Sequence, residues 1–210
     1  MIYWLMRALS RLLCRIWLRN RSQGSEYLPE EGGFLIAVNH CSHLDPLLCG
    51  TEVQRPLYFL ARRSLFRPAA VGWFLRAVHA VPIDRERFGK GAFRQVLDRL
   101  AGGGGVLVFP EGTRSADGKL GRLKSGVVRL AQSAAVPVIP AWIEGSFRAM
   151  GRGRRFPRPV RTEVRFGRPM RFDPGDDPES GLQELRQRLL SLGGKVAGEA
   201  PATETDGGAP

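Results

Sequence analysis

The spacing of apolar and polar positions changes character near residue 24. Before that point the chain is strongly apolar, yet Arg7, Arg11, Arg15 and Arg19 interrupt it at every fourth residue. Residues four apart lie on neighbouring turns of one helical face. The arginines therefore form a drifting basic stripe, with Trp4, Leu5, Leu9, Leu12, Leu13, Ile16 and Trp17 around the rest of the helix. A spanning helix needs about 18 or more predominantly apolar residues, and no such run exists. Spaced charges also argue against the apolar region of a signal peptide. Arg on one face with Trp and Leu on the other describes a helix lying in a membrane interface. The competing reading is a helix packed on the domain with its Arg edge in water.

After Gly24 the pattern alternates between strand-like and helix-like segments. Residues 33–39 form a short apolar run after a Gly pair, as expected of a buried parallel strand. Further strands are expected over 57–61, 78–83, 106–109, 136–142 and 161–166. Helices are expected over 46–53, near 65–76, and over 88–100, 123–134 and 178–192. Such alternation implies an α/β domain with a mostly parallel central sheet flanked by helices. Residues 102–105, all Gly, read as a turn into the next strand, and the basic Pro/Gly-rich stretch 151–159 as a surface loop. From residue 193 small and polar residues predict a disordered tail. The expected division is thus an amphipathic membrane-associating helix over 1–24, one domain over 25–192 and a tail over 193–210.

Charge narrows the partners. Thirty-two Lys and Arg against 20 Asp and Glu give +12 on 210 residues. Residues 195–210 are net acidic, so the excess sits in the body of the chain. It favours a polyanion: nucleic acid, anionic lipid headgroups or a phosphorylated substrate. A nucleic-acid-binding protein is the remote alternative, since neither a basic helix-turn-helix nor an RNA-binding aromatic pattern is present. Cys14, Cys41 and Cys49 are odd in number and lack metal or disulfide spacing, which suits a reducing compartment.

Two stretches carry candidate chemistry. The first is Asn39-His40-Cys41-Ser42-His43-Leu44-Asp45, between an expected strand and an expected helix. Polar side chains at such a junction gather at a sheet edge, where α/β folds form their ligand crevice. An imidazole can take a proton from an attacking hydroxyl while a carboxylate on its other nitrogen fixes the tautomer. Asp45-Pro46 also reads as a helix N-cap followed by Pro at the first helical position. The roles can coexist if one carboxylate oxygen caps while the other faces His40. Ser42, His43 and Asp45 lie too close in sequence for a ready triad. Cys41 as a nucleophile, or His40, His43 and Asp45 as metal ligands, are weaker readings, and no metal is expected. The second stretch, Phe109-Pro110-Glu111-Gly112-Thr113-Arg114-Ser115, ends a strand in a Gly-containing loop. Arg114 offers a planar fork of donors suited to phosphate, or a partner for Glu111.

Together these stretches resemble the first and third blocks of the glycerophospholipid acyltransferases, whose bacterial prototype is the 1-acylglycerol-3-phosphate acyltransferase. Val81-Pro82-Ile83-Asp84-Arg85 resembles the second block and Val136-Pro137-Val138-Ile139-Pro140 the fourth. Leu123-Lys124-Ser125-Gly126 resembles the basic segment after the third block, and the likeness spans roughly residues 27–168. It implies that His40 is a general base and that Asp45 orients it. It further implies that Arg85, Glu111, Gly112, Thr113, Arg114 and Lys124 bind the acceptor headgroup, and that Pro140 shapes the pocket. The acceptor would be a lysophospholipid, foremost 1-acylglycerol-3-phosphate giving phosphatidic acid, with another lysolipid such as a lyso-ornithine lipid as the alternative. The donor would be acyl-CoA or acyl carrier protein, attacked directly, with no further cofactor. Such an enzyme is expected on an anionic membrane surface, peripheral or monotopic at the cytoplasmic face. His79 departs from the pattern, standing where relatives often have Gly; it is expected either to be a half-buried strand histidine or to narrow the headgroup pocket.

Overall fold

The structure, a computed structural model, describes residues 2–83 and 90–193. Its centre is a seven-stranded sheet built on β2 (Phe34–Val38), whose five side chains are all buried. Around it stand β1 (Arg21–Gln23), β3 (Leu57–Arg62), β4 (Ala80–Ile83), β5 (Gly105–Val108), β6 (Val138–Glu144) and β7 (Glu163–Phe166). The order is β1-β7-β6-β2-β5-β3-β4, and every pair is parallel except β6 with β7. Helices are α1 (Ile2–Trp17), α2 (Asp45–Glu52), α3 (Ala69–Ala77), α4 (Lys90–Ala101), α5 (Gly126–Ala134), α6 (Ser146–Met150) and α7 (Pro178–Ser191). The expected α/β class with a mostly parallel sheet holds.

Strand side chains alternate between the two faces, and each face has its own core. Leu35, Ala37, Val106 and Val108 meet α4, α5 and α7 through Leu100, Val128 and Leu185. Phe34, Ile36, Val38 and Leu107 face the opposite way, onto Leu48 and Cys49 of α2 and Cys14 and Leu18 at the end of the first helix. Burial on both faces explains why β2 is a continuous apolar run rather than an alternating one.

Some boundaries differ from the sequence reading. The segment at 65–76 divides into a 3-10 turn, Arg63–Phe66, and α3. The unit expected over 1–24 is not all helix, because Arg21–Gln23 pairs in parallel with β7 as an edge strand. Three residues carry too little pattern to read as a strand. α6 is similarly short and was not expected. The tail beyond Gly193 lies outside the described residues.

The orientation of α1 is the larger surprise. Arg7 and Arg11 turn toward the domain, Arg15 and Arg19 stay exposed, and the apolar side turns out. Arg7 donates to the Thr51 carbonyl at 3.2 Å, while Arg11 and Arg15 approach the Glu52 carboxylate at 3.8 and 4.0 Å. Glu52 is buried and also accepts from Asn20 (3.1 Å) and Ser22 (2.9 Å). A buried carboxylate needs cationic and hydrogen-bond partners, and the stripe at every fourth residue supplies them. Leu5, Leu13 and Ile16 are 65%, 57% and 68% exposed on the outer side. The reading of a helix packed on the domain holds, but its Arg edge divides: Arg15 and Arg19 stay exposed, while Arg7 and Arg11 turn toward the domain.

Glu52→Ala should cost about 3 kcal/mol, the penalty for breaking a buried charge pair, read as a lower urea midpoint. Glu52→Gln should lose less, because it keeps acceptors for Asn20 and Ser22. Equal stability of Glu52→Ala and the parent would show that apolar contacts alone dock α1.

Candidate active site

Parallel strands bring the ends of β2, β5 and β6 to one edge of the sheet, and both candidate stretches leave the sheet there. Asn39 fixes the exit of β2. Its side chain accepts from the Ile143 amide (2.7 Å) and donates to the Ile143 carbonyl (3.1 Å), extending the ladder to β6 by one rung. The chain then folds back around Asp45.

Asp45 is fully buried, and its Oδ2 accepts three hydrogen bonds: from His40 Nδ1 at 2.9 Å and from the amides of Cys41 and Ser42 at 2.7 Å each. This corrects the expected division of labour. One oxygen does everything, and the amides it serves precede the helix rather than belong to it. Leu44 is the N-cap of α2, with Asp45 and Pro46 in the first turn. Asp45 Oδ1 is buried without a hydrogen-bond partner among the described residues. With Nδ1–H given to the carboxylate, Nε2 of His40 keeps its lone pair, the state that can accept a proton.

The His40 ring is 7% exposed and stacks on Phe109, with centroids 3.9 Å apart and planes at 21°. Beside it lies a cavity of about 200 Å³ whose lining includes Leu60, Ile83, Pro110, Gly112 and Lys124. Lys124 also borders a larger bowl of about 780 Å³, where five basic side chains (Arg114, Lys119, Arg122, Lys124 and Arg152) outnumber three acids (Glu111, Asp117 and Glu179). A buried imidazole–carboxylate pair thus sits next to a cationic basin, joined to it through Lys124.

Glu111 is placed differently from the other headgroup candidates. Its Oε1 accepts from the His40 amide (2.7 Å) and its Oε2 from the Gly121 amide (2.9 Å). Burial raises its pKa, and the Gly121 and His40 amides pull it back. Those contacts make it a brace between the two loops, reinforced by the Ser115 amide donating to the His40 carbonyl at 2.7 Å. Gly112 has φ +69, and a Cβ there would lie 2.9 Å from Lys124 Nζ, so glycine lets the lysine lie across the loop. Pro140 is buried inside β6, in register with Ala37, and its carbonyl accepts from Gly167 at 2.7 Å. Arg85 lies outside the described residues.

Burial, and then the nearby Asp45 and Glu111 carboxylates, push the Cys41 thiol up to about 12. The thiol is therefore protonated at neutral pH and unsuited to nucleophilic attack. Among the described residues no three His, Cys, Asp or Glu side chains gather where they could hold a metal ion.

His79 is not at the pocket. It precedes β4 at the opposite end of the strand from Ile83, stacked between Tyr3 (4.3 Å) and Tyr58 (5.0 Å). Its φ of +63 belongs to the left-handed region, which is the reason a glycine suits this position. Arg152 was missed by sequence reasoning, donating to Thr113 Oγ1 at 3.3 Å. Its Arg-rich surroundings were visible, but nothing in sequence says which Arg folds back to a loop 39 residues earlier.

A family model described as Acyltransferase matches residues 19–144, more than half of the chain. The chain belongs to the acyltransferase family. Among similar proteins, the 1-acyl-sn-glycerol-3-phosphate acyltransferase of Bacillus subtilis (strain 168) is 34% identical over 121 residues, covering 57% of this chain and 60% of that protein. The chloroplastic enzyme BAT2 of the same name from Brassica napus is 31% identical over 134 residues, covering 62% and 39%. The chain therefore spans 60% and 39% of the length of these two curated relatives. Among solved structures, the 1-acyl-sn-glycerophosphate (LPA) acyltransferase PlsC of Thermotoga maritima superposes with a TM-score of 0.77 at 27% identity, covering 90% of this chain and 77% of that one.

Alkylation tests the assignment of Cys41 as a bystander. Native protein at neutral pH should resist iodoacetamide, and Cys41→Ala should keep most of its turnover. A loss as large as that of His40→Ala would make the thiol a reacting group.

Proposed function

We propose that this chain transfers a fatty acyl group from acyl-CoA or acyl carrier protein to the free hydroxyl of a lysophospholipid, with 1-acylglycerol-3-phosphate the foremost acceptor. The observation that carries the reading is the buried His40–Asp45 pair at 2.9 Å, opening beside a cationic basin. The names of the Bacillus, Brassica and Thermotoga relatives support the same acceptor.

In the proposed step, Nε2 of His40 takes the proton as the acceptor oxygen bonds to the thioester carbonyl carbon. Asp45 stabilises the imidazolium that forms. The tetrahedral intermediate collapses, the carbon–sulfur bond breaks, and the departing thiolate receives the proton back from His40. Products are the ester and a free thiol, with no acyl-enzyme and no further cofactor. Arg114 and Lys124, with Gly112, Thr113 and Arg85, would hold the acceptor phosphate. Glu111 and Pro140 would act by shaping that site.

We place this chemistry at an anionic membrane surface, peripheral or monotopic, and on its cytoplasmic face if the compartment is reducing. Among the described residues no helix is long and apolar enough to cross a membrane. The outer side of α1 supports interfacial attachment. Seven large apolar side chains from Trp4 to Trp17 are 45–68% exposed, which water disfavours. Burying a Leu or Ile fully contributes about 1.5–3 kcal/mol, so immersing this face would contribute on the order of 5–10 kcal/mol. Exposed Val71, Trp73 and Phe74 of α3 offer a second apolar surface.

His40→Ala should lower kcat with lysophosphatidic acid on the order of a thousandfold in a variant that still folds, checked by its circular dichroism at the assay temperature. Asp45→Asn should lose on the order of 10³–10⁴, because an amide cannot enforce the required tautomer. Near-parental kcat in both variants would overturn the mechanism. Residues 18–23 belong to the core and the sheet, so the membrane face is better tested by Leu12→Asp/Ile16→Asp than by deleting the N-terminus. That variant should stay folded and leave vesicles in a flotation assay; undiminished flotation would move the attachment elsewhere.

A further inference from the structure

Between Glu144 and Glu163 the chain has no acid but carries Arg148, Arg152, Arg154, Arg155, Arg158 and Arg161, all exposed. At the crest of the loop following α6, Phe156 is 82% exposed, more than any outer residue of α1. A phenyl ring in water flanked by like charges is unfavourable on both counts, so neither self-packing nor internal pairing accounts for the segment.

Its base is firmly held. Arg158 donates its amide to the Ala149 carbonyl (2.9 Å), Thr162 donates to the Leu18 carbonyl (3.0 Å), and Val160 packs against the core cluster that includes Cys14 and Leu18. Trp17 Nε1 donates to the Pro157 carbonyl at 3.3 Å. The crest therefore stands against the C-terminal end of α1, where Leu13, Ile16 and Trp17 face outward. Arg152 leaves the crest for Thr113 and the basin, while Arg154, Arg155 and Arg158 remain around Phe156.

We propose that residues 153–158 are a second lipid-contacting element: Phe156 enters the apolar margin of an anionic bilayer, and Arg154, Arg155 and Arg158 engage the phosphates of its headgroups. This rests on the reading of α1 as an interfacial helix, and it divides labour between the elements. The helix has given Arg7 and Arg11 to the domain, so the loop supplies charge where the helix supplies apolar surface. Continuity with the Leu13–Ile16–Trp17 row favours a bilayer over nucleic acid, which has phosphates but no apolar layer beneath them.

The full chain is sedimented with vesicles of phosphatidylcholine alone and of phosphatidylcholine with phosphatidylglycerol, at low and high salt. Arg154→Ser/Arg155→Ser/Arg158→Ser should weaken binding to the anionic vesicles on the order of a hundredfold, from about fivefold per basic side chain. It should flatten the salt dependence and leave binding to the neutral vesicles unchanged. Phe156→Ser should weaken binding to both, with melting temperatures of all variants at the parental value. If the parent binds neither vesicle, the interfacial reading itself falls and this proposal with it. If the parent binds and Leu12→Asp/Ile16→Asp releases it while the loop variants bind undiminished, the second element is overturned and the helix stands. Arg variants that lose an oligonucleotide but retain anionic vesicles would assign the loop to nucleic acid and overturn it as well.

Discussion

Asp45 Oδ2 is where backbone and chemistry meet. A carboxylate removed from water must be repaid in hydrogen bonds, and three donors converge on this one atom. Two are amides of the turn that leaves β2, so the same oxygen that orients the imidazole sets the path of the chain carrying it. His40 cannot shift without disturbing the turn. The third-block loop is tied to the same place, because Glu111 reaches the His40 amide and Ser115 the His40 carbonyl. Positioning the His40–Asp45 pair through backbone amides yields a stiff site without large side chains.

The sheet delivers these pieces because of its topology. β2 lies between β5 and β6, and the three parallel strands end on one edge. What leaves β2 (His40) therefore stands beside what leaves β5 (Glu111 to Ser115). β6 contributes through Ile143, which holds Asn39. The antiparallel β7 and short β1 complete the sheet on the side of α1, so the helix and the edge strand that follows it belong to one rigid unit with the core.

How much of this could be read in the sequence depends on how local each signal is. The continuous apolar run of β2, the alternation after it and the α/β class follow from patterns within single elements. His40 and Asp45 were legible because five residues and one turn bring them together. Glu111 was found, but its bracing role depends on amides from two other loops, which no local pattern encodes. The inward turn of Arg7 and Arg11 was not foreseen because Thr51 and Glu52, which meet them, lie in a different helix. Arg152 escaped for the same reason. His79 was noticed as a departure, but its place at the far end of β4 is a matter of strand direction rather than of motif.

The polar seam under α1 has a consequence for which sequences could replace it. Arg11, Asn20, Ser22, Glu52 and Thr162 meet by directed hydrogen bonds and ion pairs, with Thr162 donating to Asn20 at 2.8 Å. Of these only Arg11 belongs to α1, so at that position the inner face must keep a particular functional group at a particular length, and Lys is no simple substitute for Arg. The outer face asks only for bulk and greasiness, so Leu, Ile, Phe and Met are interchangeable there. One helix thus obeys two substitution codes. Drift on its outer side is tolerated at nearly every position, while Arg11 on its inner side changes only when Glu52 of α2 changes with it.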